Sequence, residues 1–190
     1  MWIVNKACCH NWLQLIVLTL LLSICSPVLA LDARDSRLLL VGGEFFPRIV
    51  QAIAPNEKAT YQLIVLYSTQ NNKQLAKPIA KNLSAQLNLP YTLVSGLEPY
   101  QLIFDASQLH LIFITDPALI NSALIEIINQ PSTLSFSPFI GSVPLGLDVG
   151  LVVKATIRPQ LNRNQITNKN WAFRPFFNTI ADQYPPQEQP

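Results

Sequence analysis

Residues 60–67 read TYQLIVLY, a run of β-branched, aliphatic and aromatic side chains that predicts a buried strand. After a short polar turn, an apolar residue recurs at every fourth position from Leu75 to Leu87, which predicts a helix over residues 72–88 with one apolar stripe. Pro78 lies inside this segment and predicts a kink or a late start. A strand followed by a helix of this length begins a βαβ unit, so the central sheet is expected to be mainly parallel.

The alternation of strands and helices continues on both sides of this unit. A helix with well-marked ends is expected between Asp116, a favourable N-cap, and Pro131, which cannot continue it. Its predicted buried face consists of Ile120, Ala123, Leu124, Ile127 and Ile128, with Leu119 at the edge. Further strands are predicted over residues 91–94, 109–115, 133–136, 148–153 and 156–161, and further helices over residues 36–53 and 174–183.

The last two predicted strands follow each other with almost no connection, so we expect them to be antiparallel; one long strand bent near Lys154–Ala155 is the alternative. The predicted fold is a single three-layer α/β sandwich with a mostly parallel, Rossmann-like sheet and an antiparallel C-terminal pair. In the helix over residues 36–53, Gly42-Gly43 and Pro47 are expected to interrupt the regular pattern. The glycine pair indicates either close packing of the helix or a break in it.

Residues 1–30 have the organisation of a secretory signal peptide. They contain no Asp or Glu and a single Lys, and the short apolar run LQLIVLTLLLSIC (13–25) is followed by Pro27 and then by the small residue Ala30. We expect cleavage after Ala30 and a periplasmic location. An uncleaved anchor is the alternative, but the apolar run is shorter than the roughly 18 residues that span a bilayer.

The chain that remains after cleavage is expected to be a single α/β domain over residues 31–184, followed by a disordered, proline-rich tail over residues 185–190. All three cysteines, Cys8, Cys9 and Cys25, lie in the segment to be removed, so the domain is expected to contain no disulfide. Of the 13 Lys and Arg, 12 remain once that segment is gone, against 11 Asp and Glu. This near balance argues against nucleic acid as a partner.

Catalytic patterns are absent from the sequence of the expected domain. His110 is its only histidine, and its position inside a strongly apolar predicted strand indicates a structural role. A triad of Ser68, His110 and Asp116 is disfavoured, because the histidine lies near the start of its strand and the other two lie at strand ends. The turn after the first strand has no glycine, which phosphate-binding loops need. We therefore predict no catalytic residue, no metal site and no cofactor.

Small hydroxylic side chains and one carboxylate follow the predicted parallel strands, at the edge where open α/β sheets bind ligands. They predict a site for a small polar or anionic ligand formed by Ser68, Thr69, Ser95, Thr115 and Asp116. The same residue types are favoured in turns and helix caps, so a purely structural role is the alternative.

The C-terminal half resembles a known family. GLDVGLVV (146–153), RPQLN (158–162) and FRPFFNTI (173–180), together with Phe46-Pro47 in the first predicted helix, are similar to the YfiR-like (YfiR/HmsC-like) family of periplasmic proteins. In that family a Gly-led strand is followed by a strand that ends in Asn and then by a closing apolar helix. The resemblance covers most of residues 36–184. This chain lacks the family's cysteines, so redox sensing through disulfides is not expected.

What the resemblance implies is a Rossmann-like regulatory protein. In the family the partner is an inner-membrane protein, typically a diguanylate cyclase, whose periplasmic sensor domain is bound and held inactive. Release of this repression would raise cyclic di-GMP and favour biofilm formation, and a homodimer would also be in keeping with the family.

Two functions are therefore open at the level of sequence. A regulator of a membrane sensor needs an exposed apolar anchor, for which the candidates are Phe45, Phe46, Phe176 and Phe177. A small solute-binding protein would instead use the strand-end residues. A polar pocket at the strand ends would favour solute binding, whereas an apolar surface patch would favour regulation.

Overall fold

The TYQLIVLY strand lies inside the sheet, with a neighbouring strand on each side, as its continuous apolar sequence predicts. The computed structural model describes residues 32–54, 60–96 and 108–185. Within these residues, seven strands form one sheet in the order β2-β1-β3-β4-β5-β6-β7. The strands are β1 Thr60–Tyr67, β2 Tyr91–Ser95, β3 Gln108–Ile114, β4 Thr133–Ser137, β5 Val149–Val153, β6 Ile157–Asn162 and β7 Asp182–Tyr184.

Most of the sheet is parallel. The five neighbouring strands β2, β1, β3, β4 and β5 all run in one direction. β6 is antiparallel to β5 and parallel to β7. The predicted fold class is confirmed, including the antiparallel C-terminal pair of β5 and β6.

Helices cover both faces of this sheet. They are α1 Ala33–Gln51, α2 Gln70–Leu87, α3 Ser122–Ile128, α4 Arg163–Asn168 and α5 Pro175–Ile180. On one face, the ring of Phe46 in α1 lies 5.3 Å from that of Phe113 and 5.1 Å from that of Phe136. On the other face, Leu124 and Ile128 of α3 join a core cluster with alternate residues of β1 and β3. Because side chains alternate along a strand, these two cores make three layers.

The first helix is continuous, which corrects the expected interruption. Asp32 caps it by accepting a hydrogen bond from the backbone N–H of Asp35 at 2.7 Å. A Cβ atom at Gly42 would lie 2.5 Å from Cβ of Pro138, so the glycine allows the helix to approach the loop after β4. The close-packing interpretation therefore holds for Gly42. Gly43 has nothing within 4 Å of such a Cβ atom.

The second helix buries only part of the predicted stripe. Leu75 is 48% exposed, whereas Ala76, Ala80 and Leu83 are fully buried. Small alanine side chains let α2 approach the sheet closely, and Leu75 is left facing the groove between α1 and α2. Pro78 lies inside the helix, which does not break there.

The third helix is shorter than predicted. Asp116 does act as an N-cap, but of a single 3₁₀ turn, Pro117–Leu119. Asn121 then caps α3 by accepting from the backbone N–H of Leu124 at 3.0 Å. This second cap breaks the expected continuous helix, and Ala123, predicted to be buried, is exposed.

At the C-terminal end, the closing helix predicted over residues 174–183 stops at Ile180. Asp182–Tyr184 form β7, a short edge strand that pairs with β6, and α4 was not predicted. Asp182–Tyr184 are three residues without the alternating or apolar pattern that predicts a strand. They form β7 because they pair with β6.

The predicted signal peptide over residues 1–30 and most of the predicted tail, residues 186–190, lie outside the described residues. The described residues belong to one compact unit that begins at Asp32. None of their helices is both long enough and apolar enough to cross a membrane.

Candidate functional site

The predicted strand-end residues meet at one edge of the sheet. Ser68 and Thr69 follow β1, and Thr115 and Asp116 follow the neighbouring strand β3. The chain leaves β1 towards β2 on one side while β3 lies on the other, which makes this edge the switch point where open α/β folds bind ligands. Ser95, at the end of β2, is half-buried.

The side chains at this switch point hydrogen-bond to one another. The Ser68 hydroxyl donates to Oδ2 of Asp116. The Asn72 amide donates to the same oxygen at 2.5 Å and to the Ser68 hydroxyl at 2.7 Å. The other carboxylate oxygen accepts from the backbone N–H of Ala118 at 2.9 Å. Both oxygens of the buried Asp116 carboxylate are therefore engaged by the fold itself.

The two threonines also have structural partners. Thr69 caps α2 by accepting from the backbone N–H of Asn72 at 3.2 Å, and the Thr115 hydroxyl donates to the Leu66 carbonyl at 2.7 Å. Sequence reasoning missed Asn72, whose only signal is its position one helical turn after Ser68. Together these contacts favour a structural role for the residues at the switch point.

Acidic residues at the start of α1 lie near the same edge. Burial raises the pKa of Asp35, the carboxylates of Asp32 and Asp116 raise it further, and Arg34 lowers it. Among the residues that the structure describes, no group of three His, Cys, Asp or Glu side chains is placed to hold a metal ion.

An exposed groove beside the C-terminal half of α1 contains most of the predicted partner-binding phenylalanines. It has a volume of about 480 Å³ and lies between α1 and α5. We call it the aromatic groove; its lining includes Phe45, Arg48, Arg174, Phe176, Phe177 and Ile180.

The four predicted phenylalanines have different places in this region. Phe176 is 73% exposed, and Phe45 lines the groove half-buried. Phe177 is buried and stacks on Phe173 at a centroid distance of 5.1 Å. Phe46 is fully buried in the core, so the structure corrects its proposed role as a surface contact. The i, i+4 spacing in α5 places Ile180 beside Phe176, and Ile180 is also exposed.

Backbone hydrogen bonds hold the two walls of the groove together. Just after α1, Ile53 forms an antiparallel bridge with Phe173. The N–H of Ala54 donates to the carbonyl of Ala172 at 2.8 Å, and the N–H of Arg174 donates to the carbonyl of Ala52 at 2.8 Å. The groove is therefore preformed, because its walls are joined next to the exposed aromatic side chain.

Among the described residues that line the groove, the two charged ones are both basic. Arg48 projects from α1 and Arg174 precedes α5. The ion pairs of the described residues involve Lys154 and Lys169, so neither arginine is paired with an acidic side chain there. Sequence reasoning did not identify these arginines, which lie far apart along the chain and meet only through the fold.

A second apolar groove lies between α1 and α2. Leu40, 69% exposed, and Leu75 are its exposed aliphatic residues. None of the described residues that line it is an arginine or an aromatic residue, which distinguishes it from the aromatic groove.

A buried ion pair stabilises the C-terminal half away from both grooves. Nζ of Lys169 lies 2.8 Å from the Asp148 carboxylate and donates to the Ile128 carbonyl at 2.7 Å. Burial raises the pKa of Asp148 and lowers that of Lys169, and each charge opposes the shift of the other. Both side chains are almost fully enclosed. His110 is likewise fully buried, as its predicted structural role requires.

Comparison with known proteins relates this chain to others by fold. No protein-family model matches the sequence, and a search of curated proteins gives no match. Among solved structures, the chain is similar to one described as the ABC domain in complex with L-Trp from Streptococcus pneumonia, with a TM-score of 0.54 and 13% sequence identity. The match covers 75% of this chain and 61% of that one, so this chain spans less than two thirds of its length. At this identity the likeness concerns the fold alone.

Proposed function

We propose that this chain is an exported, non-catalytic regulatory protein that binds the periplasmic sensor domain of an inner-membrane diguanylate cyclase. The observation that carries the proposal is the aromatic groove, which an exposed phenylalanine lines together with two arginines that form no ion pair among the described residues. The family resemblance supplies the class of partner, and the confirmed α/β fold is compatible with it.

The aromatic groove has the features of a protein-binding hot spot. Binding energy concentrates on a few aromatic and arginine side chains at the centre of an interface. Phe176 offers a large apolar surface that the isolated chain leaves mostly in water. Because the walls of the groove are joined by backbone hydrogen bonds, little ordering is required on binding, which favours affinity.

The charges and apolar side chains of the groove indicate what kind of partner segment would bind there. Arg48 and Arg174 would face carboxylates, while Phe45, Phe176 and Ile180 would contact apolar side chains. The expected partner surface is therefore an amphipathic segment with apolar and acidic residues. On this proposal, binding holds the cyclase inactive, and release raises cyclic di-GMP. Periplasmic location and homodimer formation belong to the same proposal.

Solute binding at the strand ends is the second candidate and has less support. The side chains proposed for it hydrogen-bond to each other and to the backbone. The fold neighbour that contains L-Trp is too distant in sequence to transfer a ligand.

A complementation experiment tests the regulatory role. In the source bacterium, deletion of the gene should raise cellular cyclic di-GMP, and the wild-type chain should restore the low level. Phe176→Ala should fail to restore it, because the groove loses its exposed anchor. Leu40→Ala is the matched control, since it truncates an equally exposed apolar residue in the other groove. An unchanged cyclic di-GMP level after deletion would contradict the proposal, as would equal complementation by all variants.

A further inference from the structure

One edge of the sheet is formed by β2, whose outer side pairs with no strand of the described residues. On its inner side, the backbone N–H of Leu63 donates to the carbonyl of Pro90 at 3.2 Å, and the N–H of Gly96 donates to the carbonyl of Tyr67 at 2.7 Å. Because the backbone groups of a strand point alternately to its two sides, the even-numbered residues of β2 face β1. The odd-numbered residues therefore face outward.

The outward-facing residues of β2 are Tyr91, Leu93 and Ser95. Each presents a backbone N–H and a carbonyl to an additional strand, which is how an extended peptide joins the edge of a sheet. The five residues of β2 include no charged residue and no proline, so nothing within the strand blocks pairing. The opposite edge strand, β7, has only three residues and is followed by Pro185, and both features protect an edge.

A row of lysines on α2 lies beside the β2 edge. Leu75 faces the groove between α1 and α2, and a residue two positions further along a helix lies on nearly the opposite side. Lys77 is therefore on the flank of α2 that faces away from α1, towards β2, and Lys73 and Lys81 lie one turn from it in each direction. The Lys73 ammonium is 5.7 Å from the ring centre of Tyr67, at the end of β1. We call these three lysines the lysine ridge.

The charge of the lysine ridge is not neutralised by its own elements. Neither α2 nor β2 contains Asp or Glu. Within the part of the chain that the structure describes, the ion pairs involve only Lys154 and Lys169 as cations. A second copy of this chain on the β2 edge would bring a second lysine ridge to the same place, and like charges disfavour that arrangement. The charge pattern instead favours an acidic partner.

The spacing of the lysine ridge also fits an extended chain. Its lysines are four residues apart, which corresponds to a rise of about 6 Å along the helix. Side chains on one face of a strand are about 6.6 Å apart, since they recur at every second residue. Alternate acidic residues of an added strand would therefore each lie near one lysine.

We infer that the β2 edge binds an extended, acidic segment of a partner protein as an additional strand. Its backbone hydrogen-bonds to Tyr91, Leu93 and Ser95, and its alternate carboxylates face the lysine ridge. This surface is separate from the proposed function, because neither β2 nor α2 supplies a lining residue of the aromatic groove.

The acetylated and amidated peptide TEVEVEVT is a suitable probe, since its glutamates share one face of a strand. TQVQVQVT has the same pattern without the charge. A version of TEVEVEVT that is methylated on its backbone nitrogens keeps the charge but cannot donate hydrogen bonds to a strand. NMR titration of the nitrogen-15-labelled protein gives both the dissociation constant of each peptide and the backbone amides that it contacts.

TEVEVEVT is expected to shift the amide signals of Tyr91, Leu93 and Ser95. It should bind about threefold to tenfold more tightly than TQVQVQVT, the factor that a few exposed ion pairs supply. The methylated peptide should leave these three signals unchanged. The double variant Lys77→Gln/Lys81→Gln should weaken TEVEVEVT binding by about threefold or more; both lysines are exposed, so the variant is expected to fold.

Arg48→Gln/Arg174→Gln is the matched control, because it removes two positive charges from the aromatic groove instead. It should leave TEVEVEVT binding unchanged, whereas a loss of binding would place the peptide in the aromatic groove and overturn the inference. Absence of TEVEVEVT binding to the wild-type chain would also overturn it. So would equal affinities for TEVEVEVT and TQVQVQVT, or equal binding of the methylated peptide.

Discussion

Replacing Lys169 with methionine tests how the C-terminal half of the domain is held to the sheet. In the folded protein, the ammonium group lies 2.8 Å from the Asp148 carboxylate and also donates to the Ile128 carbonyl. The Lys169 and Asp148 side chains are 2% and 0% exposed, so water cannot hydrate the carboxylate once the ammonium group is removed. Methionine preserves most of the aliphatic length but leaves the carboxylate buried without its cation.

The expected loss of unfolding free energy is large, because the Asp148 carboxylate stays buried. Removing one partner of a buried ion pair costs about 3–5 kcal/mol. This is a substantial part of the roughly 5–15 kcal/mol that stabilises a typical domain. The Asp148 carboxylate would retain the hydrogen bonds from the backbone N–H and hydroxyl of Ser135, both at 2.7 Å, which limits the loss.

The assay is urea unfolding of the purified protein, followed by the fluorescence of the buried Trp171. Lys154→Met is the matched control, because Lys154 forms an exposed ion pair with Asp182 at 2.9 Å, and such pairs contribute about 0–1 kcal/mol. The double variant Lys169→Met/Asp148→Asn should be more stable than Lys169→Met alone, since it removes the unpaired charge. Equal losses for Lys169→Met and Lys154→Met would refute the reasoning.

Three further predictions concern other parts of the fold. Gly42→Ala should destabilise the protein by about 1–3 kcal/mol, because the new Cβ atom would clash with Pro138. Gly43→Ala should stabilise the protein by roughly 0.5–1 kcal/mol, because the space around Gly43 is open. Thermal unfolding compares the two variants, and equal effects would contradict the packing argument. Asp116→Ala should cost about 1–3 kcal/mol in urea unfolding, because it removes the acceptor of the buried Ser68 hydroxyl and one of the two acceptors of the Asn72 amide. Cyclic di-GMP repression should persist in this variant. Loss of repression in the folded variant would instead favour a ligand at the strand ends. Burial raises the pKa of Asp148 above 3.8 in the folded state, so the folded protein binds this proton more tightly than the unfolded chain does. The carboxyl's contribution to stability should therefore fall as pH rises from 3.8 through the folded-state pKa. Asp148→Asn should remove this slope from a pH series of unfolding free energies, and an unchanged slope would contradict the assignment.

The strands were more predictable than the helices. Residues 60–67 were identified with both ends correct, because a strand with a neighbour on each side is apolar throughout and polar turns bound it. The buried faces of the helices were less predictable. Leu75 has the right spacing for the core but is exposed, because α2 approaches the sheet through Ala76 and Ala80 instead. Spacing defines possible faces of a helix, and the neighbouring elements decide which face is buried.

Three of the four predicted partner-binding phenylalanines line the aromatic groove. Phe45, Phe176 and Phe177 were identified because aromatic side chains are unusual enough to be noticed one at a time. Arg48 and Arg174 could not be identified in this way, since their proximity depends on the bridge that joins the end of α1 to the segment before α5.

The strand-end network shows a different limit of sequence reasoning. Ser68 and Asp116 were placed correctly at one edge, because parallel strands end on the same side of a sheet. Their hydrogen bond to each other, and the participation of Asn72, depend on side-chain directions that the sequence does not contain. The residue types that suggest a ligand site are also those that close a turn.

The most direct test of the proposed function is the affinity of the purified protein for the purified periplasmic domain of the diguanylate cyclase from the same bacterium. We expect the wild-type chain and Leu40→Ala to bind equally well. Phe176→Ala should bind at least about 30-fold more weakly, the factor that corresponds to the loss of a hot-spot residue. Absence of binding by the wild-type chain, or equal affinities for Phe176→Ala and Leu40→Ala, would contradict the central claim.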